Sequence, residues 1–270
     1  MIHPSTSKRW FVLVLLTLLM IQPGTLAEPH DPSGEEILTQ VSSSIDMSLD
    51  QLDKNLTAIV RSFETLGPDA SAEDIIGPFV VTQPGVIGTG LIAENKTLSL
   101  FNASYLQDPQ DLTMLQDPSV SSAIQYIKPR MSLVKKLNNS EKIVLISRPA
   151  LVNDIIGAAV MVLTPGEFID PLVKPQLNDT NTLCAVMQLD GTILYTSHPM
   201  ELSNIPPENF MTGFPTFRDV IGAMIDGESG DLIYELWRAD RTEPKARQAF
   251  WTTITQHGTD WRIMVAVPIR

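Results

Sequence analysis

Cysteine is almost absent. Cys184 alone among 270 residues rules out an internal disulfide and any zinc centre built from several thiolates. Its apolar neighbours make it a packing residue of a strand. Histidine is equally sparse. His3, His30, His198 and His257 are scattered, and no two share the helix-face spacing that a metal requires. His198 before Pro199 and His257 before Gly258 read as turn residues. Basic residues are outnumbered, 19 against 31 acids for a net charge of −12. That balance excludes nucleic acid or an anionic lipid surface as the main partner. It leaves neutral, cationic or metal ligands open, and equally a merely solvated surface.

Catalytic motifs are also missing. Gly227-Glu228-Ser229-Gly230 is the nearest approach to a nucleophile elbow, and it reads as a turn between a helix and a strand. Gly88-Thr89-Gly90 lacks the third glycine and the following helix of a dinucleotide site. The chain is expected to be no enzyme and to need no cofactor. Only one long apolar run exists, Trp10–Ile21, preceded by Lys8-Arg9 and broken by Gln22-Pro23-Gly24. A run of about a dozen residues suits a signal peptide and falls short of the roughly 20 that span a bilayer. Residues 1–27 are therefore expected to be a signal peptide or a retained N-terminal anchor, ending at the small residues Thr25-Leu26-Ala27. The protein is expected outside the cytoplasm, secreted or anchored. No cysteine follows the run to carry a lipid. Removing Lys8 and Arg9 with this segment takes the charge from −12 to −14. Asn55, Asn95, Asn102, Asn138 and Asn178 stand in glycosylation triplets.

What remains is a folding pattern. Ile37, Val41, Ile45, Leu49, Leu52, Leu56, Ile59, Phe63 and Leu66 recur in steps of three and four. They predict a long amphipathic helix over 31–67, capped by Ser33 or Asp31 and ended by Gly67-Pro68. The helix is either a stalk for dimerisation or an element packed along its own domain. A short helix is expected at 72–76 and strands at 86–92 and 97–102. After a polar loop, a helix is expected at 119–128 continuing into 131–137 beyond Pro129, which kinks or splits it. Strands at 141–147 and 155–163 follow, linked by Arg148-Pro149 and a turn at Asn153-Asp154. Thr164-Pro165-Gly166-Glu167 has the form of a capping box opening a short helix, which Pro171 and Pro175 limit. The order then repeats: strands 183–189 and 192–196 around Asp190-Gly191, helix 216–226, strand 230–237, and tail strands 246–255 and 260–268. The fold class is α+β, a long helix followed by two antiparallel-sheet modules. The boundaries are a first module at 68–164, a connecting helix at 165–179 and a second module at 180–270.

Three groups of residues carry a family likeness: Ser147-Arg148-Pro149-Ala150 with Ile156–Val162, Val186–Tyr195, and Phe250–Thr253 with His257–Arg262. With the order of elements they resemble the double Cache family of paired PAS-like extracellular sensor domains, and the last two groups look most like Cache modules of archaeal exported proteins. The resemblance covers residues 35–270. It implies a small ligand, amino-acid-like or an organic acid, held in the first, membrane-distal module between the sheet and the segment crossing it. That segment, 105–137, carries Tyr105, Tyr126, Lys128 and Arg130, and the facing strand ends carry Arg148 and Asp154. Arginine suits a carboxylate because its planar fork donates two parallel hydrogen bonds, aspartate suits an ammonium, and tyrosine offers a wall and a hydroxyl. Each also has a bland reading: Arg130 as a helix cap, Arg148 as a strand end, Asp154 as a turn former, the tyrosines as packing. Amino-acid-binding members follow the arginine with Trp-Tyr, whereas Met131, Ser132 and Leu133 stand here. Only Arg130 and Asp154 are carried over. Trp237, Trp251 and Trp261 on neighbouring strands are expected to form core. The expected function is non-catalytic sensing, with signalling through a partner and dimerisation through the long helix. The rivals are an envelope interaction protein with empty modules and an exported hydrolase.

Overall fold

The computed structural model describes residues 33–66, 83–93, 98–102, 117–137, 140–152, 155–177, 181–198, 215–237 and 244–269. The expected segments 1–27 and 72–76 lie outside these. Helix α1 (Gly34–Leu66) starts where Ser33 and Glu36 satisfy each other's backbone N–H, at 2.7 and 3.2 Å. This reciprocal cap explains the abrupt start. The apolar stripe from Ile37 to Ile59 is buried, and it is buried within this chain. One continuous core joins that stripe to Val144, Ile146 and Met161 of the first sheet and to Val186, Ile263 and Val265 of the second. Of the two roles open to the helix, packing along its own domain is the one its stripe performs.

The first sheet comprises β1 (Val86–Ala93), β2 (Leu98–Asn102), β3 (Arg130–Met131), β4 (Lys135–Lys136), β5 (Lys142–Val152) and β6 (Ile155–Leu163). Its order is β2-β1-β6-β5-β3, with β4 also on β5. The second comprises β7 (Leu183–Gln188), β8 (Ile193–Thr196), β9 (Gly230–Trp237), β10 (Pro244–Gln256) and β11 (Thr259–Pro268), in the order β8-β7-β11-β10-β9. Both sheets are antiparallel and share one path: second strand, first, last, penultimate. Each has one face on α1 and the other on a helix of its own. Helix α2 (Pro118–Tyr126) covers the first sheet at Ile87, Leu145, Val160 and Val162. Helix α4 (Phe217–Asp226) covers the second at Met187, Tyr234, Trp251 and Met264. Helix α3 (Pro165–Val173) connects them. The α+β class holds, with a long helix followed by two antiparallel sheets. Among the described residues no helix is long and apolar enough to cross a membrane.

Four local expectations are corrected. Residues 131–137 form no helix. Ile127 closes α2 in the left-handed region (φ 51°), Pro129 follows, and the next residues join the edge of β5 as β3 and β4. Pairing with a distant strand overrides helical propensity here. Arg148-Pro149 is no link between strands, because β5 runs through both, with Pro149 opposite Ala158. Proline is tolerated there because β3 ends opposite Ser147, so its missing N–H leaves no bond unmade on that side. Thr164 forms no capping box. Its hydroxyl donates to the Gly85 carbonyl at 3.0 Å and lies 3.2 Å from Glu167 Oε2. Pro171 sits inside α3 without ending it. The tryptophans are core, but Trp251 and Trp261 belong to clusters on opposite faces of the second sheet; the side chain of Trp237 lies outside the described residues.

Candidate functional site

Strand alternation decides which side chains of the first sheet can meet. Arg130 is paired with Ser147, Ser147 with Val160, and Val160 with Gly90. Cross-strand partners point to one face, and Val160 packs in the cluster with α2. Arg130 and Ser147 therefore lie on the α2 face. Arg148 is paired with Ala159 and Leu91 follows it in the row; both belong to the α1 core. The two arginines are on opposite faces of one sheet. They do not converge on a common ligand.

On the α2 face, the Arg130 guanidinium carbon stands 5.7 Å from the centre of the Tyr126 ring, within cation–π range. The arginine is half-buried. Its Nε is buried without a hydrogen-bond partner, and among the described residues no carboxylate pairs with it. Directly opposite, Ser147 is fully buried and its hydroxyl is also unpartnered. A buried polar atom left unpaired costs about 1–3 kcal/mol. Two of them side by side, one on a cation, mark a place suited to an oxygen-rich anion. Tyr126 is exposed and forms an open wall. Ser147 enters the sequence reading only through the family likeness and not as a site residue; the signal for the site is a lone hydroxyl in the apolar alternation Ile143, Leu145, Ser147.

On the other face, Arg148 Nη1 donates to both carboxylate oxygens of Asp53 on α1, each at 2.8 Å. His257, from the turn between β10 and β11, places Nε2 3.2 Å from Asp53 Oδ1. Burial pushes the His257 pKa down, and the Arg148 charge adds to this, while Asp53 and Asp50 pull it up less effectively. The imidazole is thus held neutral and donates to the carboxylate from Nε2. Gln256 next to it donates to Asp46 and Asp50 at 3.1 and 3.0 Å. The helix is tied to both sheets by one acidic strip. A histidine whose folded pKa is depressed makes the unfolded chain the better proton acceptor, so stability rises with pH in that window. The His257 contribution is expected in full above about pH 6.5 and to be lost as pH falls through its folded value. Urea unfolding between pH 7.5 and 5.5 should show this slope flattened in His257→Gln. An unchanged slope would refute the assignment.

The segment after Arg130 is fastened at every step. Met131 N–H donates to the His257 carbonyl at 3.3 Å, and Thr259 Oγ1 donates to the Met131 carbonyl at 2.8 Å. Val134 N–H donates to the buried Gln188 side chain at 2.8 Å, and Gln188 Nε2 reaches the Ser132 carbonyl at 3.5 Å. Lys135 pairs with Asp117 at 2.5 Å, the residue that caps α2. Arg130 thus heads a strut between the sheets.

Tyr105 and Asp154 lie outside the described residues. No group of three or more metal-ligating side chains occurs among those described. His198 Nδ1 is 2.9 Å from Ser197 Oγ, but that oxygen also accepts the Cys184 N–H, and no described carboxylate completes a triad. His257 has a carboxylate and no described serine partner.

The sequence matches no protein-family model and no curated protein sequence. The fold does match solved structures. An extracellular ligand binding receptor from Desulfohalobium retbaense superposes with a TM-score of 0.64 at 17% identity over 88% of this chain. The chain spans 41% of that receptor's length. The ligand binding domain of the Pseudomonas aeruginosa amino acid chemoreceptor PctB, in complex with L-Gln, gives 0.57 at 17% identity, over 87% of this chain and 89% of that one. The periplasmic sensory domain of the Campylobacter jejuni chemoreceptor Tlp1 gives 0.54 at 13%, over 86% and 92%. At such identities the likeness is one of fold.

Proposed function

We propose that this protein is an extracytoplasmic sensor domain that binds a small carboxylate-bearing molecule on the α2 face of its first sheet, without turning it over. The observation that carries this reading is the contrast between the two arginines. Arg148 is neutralised by Asp53, whereas Arg130 is half-buried beside Tyr126 and the unpartnered Ser147 hydroxyl. A guanidinium in that state gains most from a carboxylate, which accepts two parallel bonds. The architecture shared with PctB and Tlp1 supports the same reading, since those are the ligand binding domain of one chemoreceptor and the periplasmic sensory domain of another. Export by residues 1–27 and signalling through a partner chain belong to the proposal. The oligomerisation reading has less support, because the apolar stripe of α1 is buried in its own core.

The test is thermal unfolding of the full chain against amino acids, short carboxylates, amines and purines. A ligand at 100 times its dissociation constant stabilises by about 2.7 kcal/mol, a rise of roughly 5–10 °C for a chain of this size. The rise is expected for carboxylates, absent in Arg130→Ala and retained in Arg148→Ala once its lower baseline is subtracted. A panel with no carboxylate response, or a response untouched by Arg130→Ala, would overturn the assignment.

A further inference from the structure

We infer that the ligand site is composite: the turn at the end of the second sheet forms part of it, and Gly258 is the residue that positions Arg130. The geometry is direct. A Cβ built on Gly258 would lie 2.9 Å from Arg130 Nη1, closer than real carbon contacts allow. Arg130 Nη1 therefore occupies the space that a side chain at 258 would take, and the guanidinium carbon stands 5.7 Å from the centre of the Tyr126 ring. The turn cannot drift from the arginine, because His257 and Thr259 on either side of Gly258 both bond Met131, the next residue after Arg130. The same turn reaches α1 through His257 and Asp53. A ligand that draws the guanidinium away from Gly258 thus acts on a turn tied to the long helix.

The turn alone would favour glycine at 258, since φ is +82° there. Gly191, in the hairpin between β7 and β8 of the same sheet, has a matching φ of +81° but meets only Ile225 Cδ1, at 3.6 Å. It separates backbone strain from contact with Arg130. The significance of the site rests on the carboxylate reading; the placement of Arg130 can be tested without it.

The experiment is phenylglyoxal modification of the full chain, followed residue by residue by mass spectrometry. Gly258→Ala is expected to change the Arg130 rate by at least about threefold, the effect of a rotamer shift of order RT. Gly191→Ala should leave that rate unchanged, and Arg148, held by Asp53, should react alike in all three proteins. Thr259→Val, which unpins the turn without adding a Cβ at 258, should shift Arg130 in the same way, so the result stands even if Gly258→Ala fails to fold. Equal Arg130 rates in wild type and Thr259→Val, or equal effects of the two glycine variants, would overturn the inference. Acetate and γ-aminobutyrate serve as probes of function: protection of Arg130 in wild type, weakened in Gly258→Ala, is expected. No protection alongside a Gly258-specific rate change would sink the carboxylate reading and leave the positioning role standing.

Discussion

Gly85→Ala is expected to lower the stability of the folded chain by about 3–4 kcal/mol, combining strain at positive φ with overpacking against fixed atoms. Gly85 precedes β1 with φ +76°, and an added Cβ would meet Phe168 N at 2.6 Å, its Cβ at 2.8 Å and its Cα at 2.9 Å. Two of these are backbone atoms of α3, so no rotamer change relieves the contact. The glycine carbonyl is also the anchor of that helix, accepting Thr164 N–H at 2.7 Å and the Thr164 hydroxyl at 3.0 Å. Moving the backbone to relieve the clash breaks both bonds. Gly166→Ala is the control: it lies in α3 with nothing within 4 Å of its added Cβ, and should be neutral or stabilising by up to about 1 kcal/mol. Urea unfolding of the two variants decides the matter. A Gly85→Ala loss below about 1 kcal/mol would mean that β1 and α3 are not locked together as described.

Leu52→Ala should cost about 3–5 kcal/mol, the range for deleting a wholly enclosed leucine whose cavity cannot collapse. Leu52 is fully buried in the core that α1 shares with both sheets. Alanine is a better helix former than leucine, so none of the loss comes from the helix itself. Met47, on the outer side of the same helix and 64% exposed, should change stability by less than about 0.5 kcal/mol when replaced by alanine. Because one core serves both sheets, Leu52→Ala should unfold in a single transition followed alike by circular dichroism and tryptophan fluorescence. Trp251 and Trp261 report the second sheet, far along the chain from the mutation. A variant in which their signal persists after the helical signal is lost would show that the sheets have separate cores.

Both predictions turn on contacts between segments distant in the chain, and the limit of the sequence reading lay there too. Elements with a local signature were legible. Steps of three and four gave α1 to within a few residues, because an amphipathic stripe repeats every turn whatever it packs against. Asp190-Gly191 and His257-Gly258 marked hairpins, because tight hairpin loops need positive φ, at both central residues of the two-residue turn His257-Gly258 and at the last residue, Gly191, of the three-residue loop 189–191. Strand β9 was read to the residue, and α4 to within one. The misread stretch, 131–137, has no such signature. Its backbone is claimed by β5, a strand that follows it in the chain, and that claim leaves no trace in the residues themselves.

The candidate site divides in the same way. The family resemblance pointed to a segment and two strand ends, and the residue types there marked Tyr105, Tyr126, Arg130, Arg148 and Asp154 as a set able to hold an organic acid or a zwitterion. Which arginine is free for one depended on register: a strand alternates its side chains, so Ser147 and Arg148 face opposite sides, and the pairing of Arg130 with Ser147 assigns it to the α2 face. Asp53, 95 residues from Arg148 in sequence, cancels that charge. Gly258 meets Arg130 only because the tail turn docks on β3. The sequence by itself determined the elements that carry a local signature and the chemical inventory, since period and turn chemistry are local. Tertiary structure alone decided which charges are paired and which is left open, since pairing depends on distances that the chain does not set until it folds.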